Sequence, residues 1–203
     1  MKKWFVICVY CLAVLCTVQA TAQTRHSYVA LKTNLLYDVV AVPNAGVEVN
    51  FYDNWTIYGD LMYAGWQLPA KNFYWDLFGT QFGIRKYFGH MAKESSFSGH
   101  HVGIYGQALA YDLQAGNIGQ QTPEINIGAG VEYGYSFPIA LNLNLDVEIG
   151  IGYLTGKYYE YVFDPKEKDY PWQGTIKRAW VGPTKASVSL VWLIRSKKKP
   201  KNI

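Results

Sequence analysis

Two neighbouring segments alternate apolar and polar residues almost without a break, and this pattern limits the folds open to the chain. In residues 124–137 every second residue is apolar or aromatic, and glycines, an amide, an acid and a serine stand between them. Residues 139–153 repeat the pattern with leucine, valine and isoleucine against asparagine, aspartate, glutamate and glycine. Because the side chains of a strand point alternately to two sides, both segments predict long strands with one apolar face.

The two segments predict one antiparallel hairpin with its turn at Pro138. This register would place Gly130 opposite Asp146 and Gly128 opposite Glu148. A glycine would then face a larger polar residue in each of these pairs, so the polar face would fit a crowded interior.

The first 22 residues have the features of a secretory signal peptide. Two lysines precede an apolar run over residues 4–18, and a small-residue cleavage motif ends at Ala22. We therefore expect cleavage near Ala22. The 3 cysteines all lie in this segment, so the mature chain is predicted to have no disulfide and no thiol chemistry: Cys8, Cys11 and Cys16.

The remaining sequence predicts eight strands and a single domain over residues 23–196, with a basic tail at 197–203. The expected strands cover residues 28–40, 45–52, 55–66, 74–88, 101–112, 124–137, 139–155 and 183–195, with a bulge expected near Gly79 or Gly83. An even number of antiparallel strands closes into an up-and-down barrel with both termini at one end. The connections at 89–99, 113–123 and 156–182 are predicted as a turn and two loops.

The choice of inner face decides between a membrane barrel and a secreted soluble barrel of the lipocalin kind. The interior of eight strands is only just wide enough for side chains, so large apolar residues from every strand would overfill it. The polar face consists of glycines and short acids or amides with hardly any lysine, which suits a crowded interior better than a wetted surface. The sequence therefore favours an all-β, eight-stranded transmembrane β-barrel in the outer membrane of a Gram-negative bacterium, monomeric and surrounded by lipid.

Several short segments resemble one known family. They are residues 31–37 (LKTNLLY), 43–48 (PNAGVE), 65–66 (GW) and 82–88 (FGIRKYF), together with Trp55. The chain is similar in these segments to the domain of unknown function 3575 family, small outer-membrane barrels of Bacteroidota-type bacteria. The resemblance implies a barrel of the OmpA type with an uncharacterised function. Association of some relatives with surface-fimbria loci implies a role in anchoring or assembly, and no catalytic residues are implied.

The charge distribution argues against nucleic acid as a partner. The formal net charge of +4 falls to +2 when Lys2 and Lys3 are removed, and four further positive charges belong to the tail. The body of the chain is therefore slightly acidic, whereas nucleic-acid binding calls for a basic surface. The expected partners are membrane lipids and surface-appendage or other envelope proteins. No cofactor and no metal is predicted.

A set of charged residues on the polar face forms a predicted polar network inside the barrel: Lys32, Glu48, Asp60, Arg85, Glu132, Asp146 and Glu148. Acids outnumber bases in this set, which is compatible with a narrow cation-preferring pore. The alternative is an internal salt-bridge network that plugs the barrel, and eight strands rarely leave an open channel.

The long loop after residue 155 is the predicted recognition segment, because it interleaves aromatic and charged residues. Its candidate contact residues are Tyr161, Phe163, Tyr170, Trp172, Lys177 and Arg178. Histidines 26, 90, 100 and 101 are predicted at the periplasmic rim as solvated turn residues. An envelope enzyme acting on lipid or glycan remains an alternative, but it needs a nucleophile and a base at one rim. We therefore expect no catalytic residues and a non-enzymatic structural, anchoring or assembly role.

Overall fold

A single antiparallel sheet that closes on itself makes up the structure. The computed structural model describes residues 27–68, 73–94, 97–115, 118–162 and 172–195. The predicted signal peptide and basic tail lie outside the described residues. The strands are β1 (Ser27–Asn34), β2 (Asn44–Tyr52), β3 (Trp55–Leu68), β4 (Phe73–Phe88), β5 (Gly99–Ala115), β6 (Ile118–Gln121), β7 (Asn126–Ala140), β8 (Leu143–Val162) and β9 (Trp172–Arg195).

Eight of the nine strands pair in a complete circuit, and this confirms an all-β antiparallel sheet closed in a ring. Neighbours follow the chain order from β1 to β5, then β7, β8 and β9, and β9 pairs with β1. The short strand β6 lies between the far ends of β5 and β8. The residues 113–123 were predicted as a loop, so β6 and the end of β5 correct that prediction.

The ring has two unlike ends, which we call the short-turn end and the long-loop end. The connections at 53–54, 89–98 and 141–142 lie at the short-turn end, as do the start of β1 and the end of β9. At the first of these turns Asp53 and Asn54 have positive φ angles, which short polar residues adopt more readily than most. The opposite ends of the strands form the long-loop end.

Two short helices replace parts of the chain that were predicted as strand or turn. Helix α1 (Leu35–Val39) interrupts the predicted first strand, because the side chain of Asn34 accepts a hydrogen bond from the Leu36 amide (3.0 Å) and caps a helix. Helix α2 (His90–Glu94) lies within the predicted turn at 89–99. No helix among the described residues is long and apolar enough to span a membrane.

The register of the β7–β8 hairpin differs from the predicted one. Strand β7 continues through Pro138 to Ala140, and the turn falls at Leu141 and Asn142. Consequently Gly130 faces Gly152, Ser136 faces Asp146 and Gly134 faces Glu148. Glycine or serine still faces each acid, so the size argument holds although the predicted pairs were wrong.

The other extensions and bulges also depart from the prediction. The ladders of β4 with β3 and β5 run without a shift, so no bulge occurs at Gly79 or Gly83. A shift occurs instead near Gly150 and Ile151, where β8 meets β9. The predicted loop 156–182 is largely strand, because β8 and β9 continue as a paired hairpin beyond the ends of β1 and β7, and β6 pairs with the upper end of β8.

The two faces of the sheet have opposite chemistry. Large apolar side chains point outward and are exposed on all eight strands of the ring, among them Ile57, Phe82, Ile104, Val131 and Ile149. Buried charged and polar residues point inward. The interior also contains an apolar cluster at the short-turn end, formed by Ala30, Tyr87, Ala92, Phe97, Val191 and Leu193.

Candidate functional site

The centre of the ring interior holds a buried network of charged side chains built around Arg85. The alternation of β4 points Arg85 inward, where it is 0% exposed. Its guanidinium contacts four carboxylates: Glu148 at 2.9 Å, Glu132 at 3.1 Å, Asp146 at 3.2 Å and Glu48 at 3.6 Å. A planar guanidinium can serve several carboxylates at once, which suits Arg85 to join strands from different parts of the ring.

Two lysines complete the positive side of the network. Lys32 lies 3.4 Å from Glu48 and 3.6 Å from Asp146. Lys185 lies 2.7 Å from Glu132 and also contacts Glu148. Each of the four carboxylates therefore has at least two cationic neighbours, which compensates the cost of removing it from water.

Uncharged hydrogen-bond donors hold two of the carboxylates, Glu48 and Glu132. Thr56 donates to Glu48 (2.6 Å), and the Tyr87 hydroxyl donates to the same carboxylate (3.0 Å). The Tyr58 hydroxyl donates to Glu132 at 2.7 Å. Its ring lies 4.1 Å below the Arg85 guanidinium, a cation–π arrangement.

His101 belongs to this network, contrary to the prediction that it is a solvated turn residue. It is 0% exposed, and its Nε2 lies 2.8 Å from Asp146 Oδ1. It precedes Gly103, Tyr105 and Gln107 on the same face of β5, so strict alternation would have placed it inside. His100 points away from the network and contacts the Tyr133 hydroxyl at 2.7 Å.

The network contains residue types that bind metal ions, but its own positive side chains already occupy the carboxylates. Potential ligand atoms of His101, Asp146 and Glu148 lie within 4.8 Å of one another. Arg85 already contacts both carboxylates, and Lys32 contacts one of them. These fixed cations oppose a further positive charge at the same position, so the three residues are arranged for ion pairing.

Asp60 stands apart from the other predicted network residues. Among the described residues, no cation comes within ion-pairing distance of its carboxylate. It lines a small cavity with Lys32, Tyr37 and Lys185 at the side of the network that faces the long-loop end. A Cβ atom on Gly46 would overlap the Asp60 carboxylate, so the glycine in the PNAGVE segment makes room for this acid.

A larger cavity of about 820 Å³ opens from this level toward the long-loop end. Gln81, Gln107 and Lys185 form its floor, and the Gln81 amide donates to Gln107 (3.1 Å). Apolar and aromatic side chains form its wall and rim, among them Tyr37, Met62, Leu109, Leu154, Tyr158 and Trp180. At this end the charged network borders a large open space through Lys185.

The opposite side of the network is closed. Asn144 is buried and donates to the Phe97 carbonyl oxygen at 2.7 Å and to the Ser98 hydroxyl at 3.1 Å. These bonds hold residues 97–98 across the interior, where the Phe97 ring packs edge-on to Tyr87 with centroids 6.2 Å apart. The interior is thus closed by packed apolar side chains at the short-turn end, charged at its centre and open at the long-loop end.

The predicted recognition residues do not form one cluster. Phe163 and Tyr170 lie outside the described residues. Tyr161 and Trp172 pair with each other across the β8–β9 ladder, but the structure describes only their backbone. The remaining two, Lys177 and Arg178, lie on opposite faces of β9.

Arg178 is on the inner face, where its guanidinium lies 4.7 Å from the centroid of Tyr158 and 5.8 Å from that of Tyr111. Lys177 is exposed on the outer face. The two cations therefore flank the β9 backbone from both sides near the top of the hairpin.

Comparison of the whole sequence with known protein families identifies the family of this chain. The profile of the family described as "Protein of unknown function (DUF3575)" matches residues 7–194. The chain belongs to the DUF3575 family. No curated protein and no solved structure matches the chain. The resemblance of the segments LKTNLLY and PNAGVE is thus confirmed, and in this DUF3575 protein those segments form β1, α1 and the start of β2 around the cavity floor.

Sequence reasoning about this DUF3575 protein missed Lys185, although the signal was present. Lys185 has the same parity in the predicted last strand as Ser187 and Ser189, and all three are buried inside the ring. The irregular pairing of Gly150 and Ile151 with Lys185 and Pro183 made the start of this regular region hard to locate. Tyr58 and Tyr87 were also missed, although they have the same parity as the predicted inward residues Asp60 and Arg85 of their strands.

Proposed function

We propose that this DUF3575 protein is a monomeric transmembrane β-barrel of the outer membrane, which holds other envelope or surface components at its long-loop end and is not an enzyme. One observation carries the proposal: the closed sheet has its apolar residues outside and its charges inside. Phe82, Ile104 and Val131 are each more than 60% exposed on the outer face. Continuous apolar surface of this kind marks contact with lipid or with protein.

The closed interior favours a structural role over transport. Arg85 and its four carboxylates fill the centre, and Phe97 with Asn144 fills the short-turn end. An ion crossing this interior would have to break several buried ion pairs. The narrow cation-preferring pore is therefore less well supported than a plugged barrel.

The position of the histidines supports a non-enzymatic role. An envelope hydrolase on this scaffold would need a base beside the open cavity. The three described histidines lie in or near the half of the ring that contains the short turns: His90 in α2, His100 beside Tyr133, and His101 against Asp146.

The β8–β9 hairpin supports an anchoring role. Its two strands pair as far as Tyr161 and Trp172, whereas β1 and β2 stop much lower. A rigid hairpin that stands on a closed sheet can present side chains to a partner at low entropic cost.

The proposal is tested by following the protein into membranes. The refolded chain in detergent should give a strand-rich circular dichroism spectrum and a gel mobility that changes on boiling. In cells, the protein should sediment with the outer membrane, and in planar bilayers it should not conduct. Recovery in the soluble periplasmic fraction would contradict the barrel, and steady conductance would contradict the plug.

A further inference from the structure

The wall of the ring is lower on the side formed by β1 and β2. Strand β1 pairs with β9 only from Ser27 to Asn34, opposite Arg195 to Ser189. Strand β9 continues from Ser189 to Trp172 without another described strand on that side, while β8 accompanies it on the other. The side chain of Asn34 ends the β1 ladder by accepting a hydrogen bond from the Val188 amide (3.4 Å).

The same gap is bordered on its far side by β3. Strand β2 begins at Asn44, opposite Met62, whereas β3 continues to Leu68. The last backbone hydrogen bond from β2's side runs from the Tyr63 amide to the Pro43 carbonyl oxygen (3.0 Å), and further along β3 the Trp66 indole donates to the Ala41 carbonyl oxygen. Since two strands separate β3 from β9, the gap spans three strand spacings, or about 14 Å.

Helix α1 lies at the bottom of the gap, beside β9, where a longer β1 would otherwise continue. The Asp38 carboxylate accepts hydrogen bonds from the Thr33 hydroxyl (3.0 Å) and the Asn44 amide (2.9 Å), which tie the helix to the ends of β1 and β2. Burial raises the pKa of the Asp38 carboxyl, and the two hydrogen bonds only partly offset this rise. The chain therefore turns back at Asn34 and does not extend β1 along β9.

The free part of β9 covers residues 172–182. Pro183 ends it, because proline has no amide hydrogen to donate and the Pro183 carbonyl accepts from the indole of Trp180 (3.3 Å). In an antiparallel ladder with β8, alternate residues of this segment direct their N–H and C=O groups into the gap. A long strand edge of this kind is a template for pairing with another strand.

The charge of this edge selects its partner. Strand β9 contains no acidic residue. Lys177 faces Lys157 across the ladder, and Lys157 is already paired with Glu124 (3.2 Å). Among the described residues, no carboxylate lies within ion-pairing distance of Lys177 or Arg178, so neither cation has an acidic partner there, although Arg178 lies over the Tyr158 ring.

A second copy of the chain fits this edge poorly. Antiparallel pairing of two β9 edges would bring together two sets of lysine and arginine without an acid on either side, and like charges across strands are destabilising. An acidic strand fits the edge better, because it supplies backbone hydrogen-bond partners for β9 and negative charge for Lys177 and Arg178.

We propose that the free edge of β9, residues 172–182, binds an extended acidic segment of another protein, which adds one strand to the sheet. This inference specifies the partner in the anchoring role. It rests on that proposed function, because the edge must lie outside the membrane to be reached. Acidic side chains on the outer face of the added strand meet Lys177, and those on its inner face meet Arg178.

The test uses the full mature chain refolded in detergent and two nine-residue peptides. One peptide alternates valine with glutamate and threonine, and the other has lysine in place of glutamate. We expect the glutamate peptide to bind at least tenfold more tightly than the lysine peptide at low salt. Alternate amides within residues 172–182 should gain protection from hydrogen exchange, because only every second amide faces the gap.

Charge reversal provides the matched variants. Lys177→Glu alone, and Lys177→Glu/Arg178→Glu, should lose the preference for the glutamate peptide, and the double variant should prefer the lysine peptide. Lys86→Glu/Lys93→Glu makes the same change in net charge at the short-turn end and should behave as wild type. The single variant changes an exposed side chain, so it stays informative if the double variant folds poorly.

Three results would overturn the inference: equal binding of the two peptides, no binding of either, or amide protection outside residues 172–182. A peptide-free dimer that the Lys177→Glu variant strengthens would assign the edge to a second copy instead. Failure of the membrane proposal is read separately, from heat-dependent gel mobility and vesicle insertion of the same sample without peptide.

Discussion

The Arg85 guanidinium lies 2.9 Å from the Glu148 carboxylate, and this contact joins β4 to β8 through the centre of the ring. Two strands, β5 and β7, separate these partners along the sheet on the shorter path. The pair therefore connects walls that share no backbone hydrogen bonds. Its loss would affect the whole ring.

Replacing Arg85 with methionine should lower the free energy of unfolding by about 3–5 kcal/mol, since four buried carboxylates would lose a cation. Urea denaturation in detergent measures the change through the transition midpoint. Lys86→Met is the matched control, because Lys86 is the next residue and is exposed. Equal midpoints for wild type and Arg85→Met would show that the network does not stabilise the fold.

Replacing Gly46 with alanine should destabilise the protein by about 1–3 kcal/mol, because the new methyl group overlaps the Asp60 carboxylate. The double variant Gly46→Ala/Asp60→Ala should recover much of the loss. Gly59→Ala is the control, since its Cβ would meet only the Gln81 carbonyl oxygen at 4.0 Å. Thermal unfolding compares the four proteins, and an unchanged Gly46→Ala would contradict the close packing at this position.

Replacing Asn144 with alanine should cost about 1–3 kcal/mol, because the Phe97 carbonyl loses its buried donor. Segment 97–98 should then exchange its amide hydrogens faster, which mass spectrometry detects. Asn50→Ala is a milder change, as Asn50 makes one exposed bond to the Trp55 carbonyl oxygen (3.2 Å). Slow exchange at 97–98 in Asn144→Ala would show that other contacts hold this segment in place.

Replacing residues 160–178 with a short glycine-serine linker should leave the ring folded, because its closing ladders lie below this segment. Gel mobility should still change on boiling. Surface display or partner assembly should fail in a deletion strain that carries the shortened gene. Full complementation by this gene would exclude the hairpin, including Tyr161, Phe163, Tyr170 and Trp172, as the recognition segment.

Much of the closed sheet follows from alternation alone. The inward positions of Glu48, Arg85, Glu132 and Glu148 agree with their parity in the sequence, because a strand offers only two directions for a side chain. The same rule would have included His101 and Lys185. They were missed since both stand close to a predicted strand end, where parity was not applied.

The parts that could not be predicted depend on local competition or on register. At Asn34 the side chain favours a helix cap over another strand residue, and apolar alternation does not record that preference. At Pro138 the turn signal was misleading, because proline is tolerated where a ladder loosens near its end. The height of each strand above its neighbours, which creates the free edge of β9, depends on the register of the whole ring.

The central claim is that the outer face of the ring contacts lipid, and a paired substitution tests it most directly. Ile104→Arg places a charge on the outer face midway along β5, whereas Thr175→Arg places it on the exposed upper part of β9. An arginine facing the middle of a bilayer costs about 2–4 kcal/mol, and one near the interface costs little. The measurement is the folded yield of each variant in lipid vesicles. The account predicts a large loss for Ile104→Arg and a near wild-type yield for Thr175→Arg, and equal yields for the two variants would contradict it.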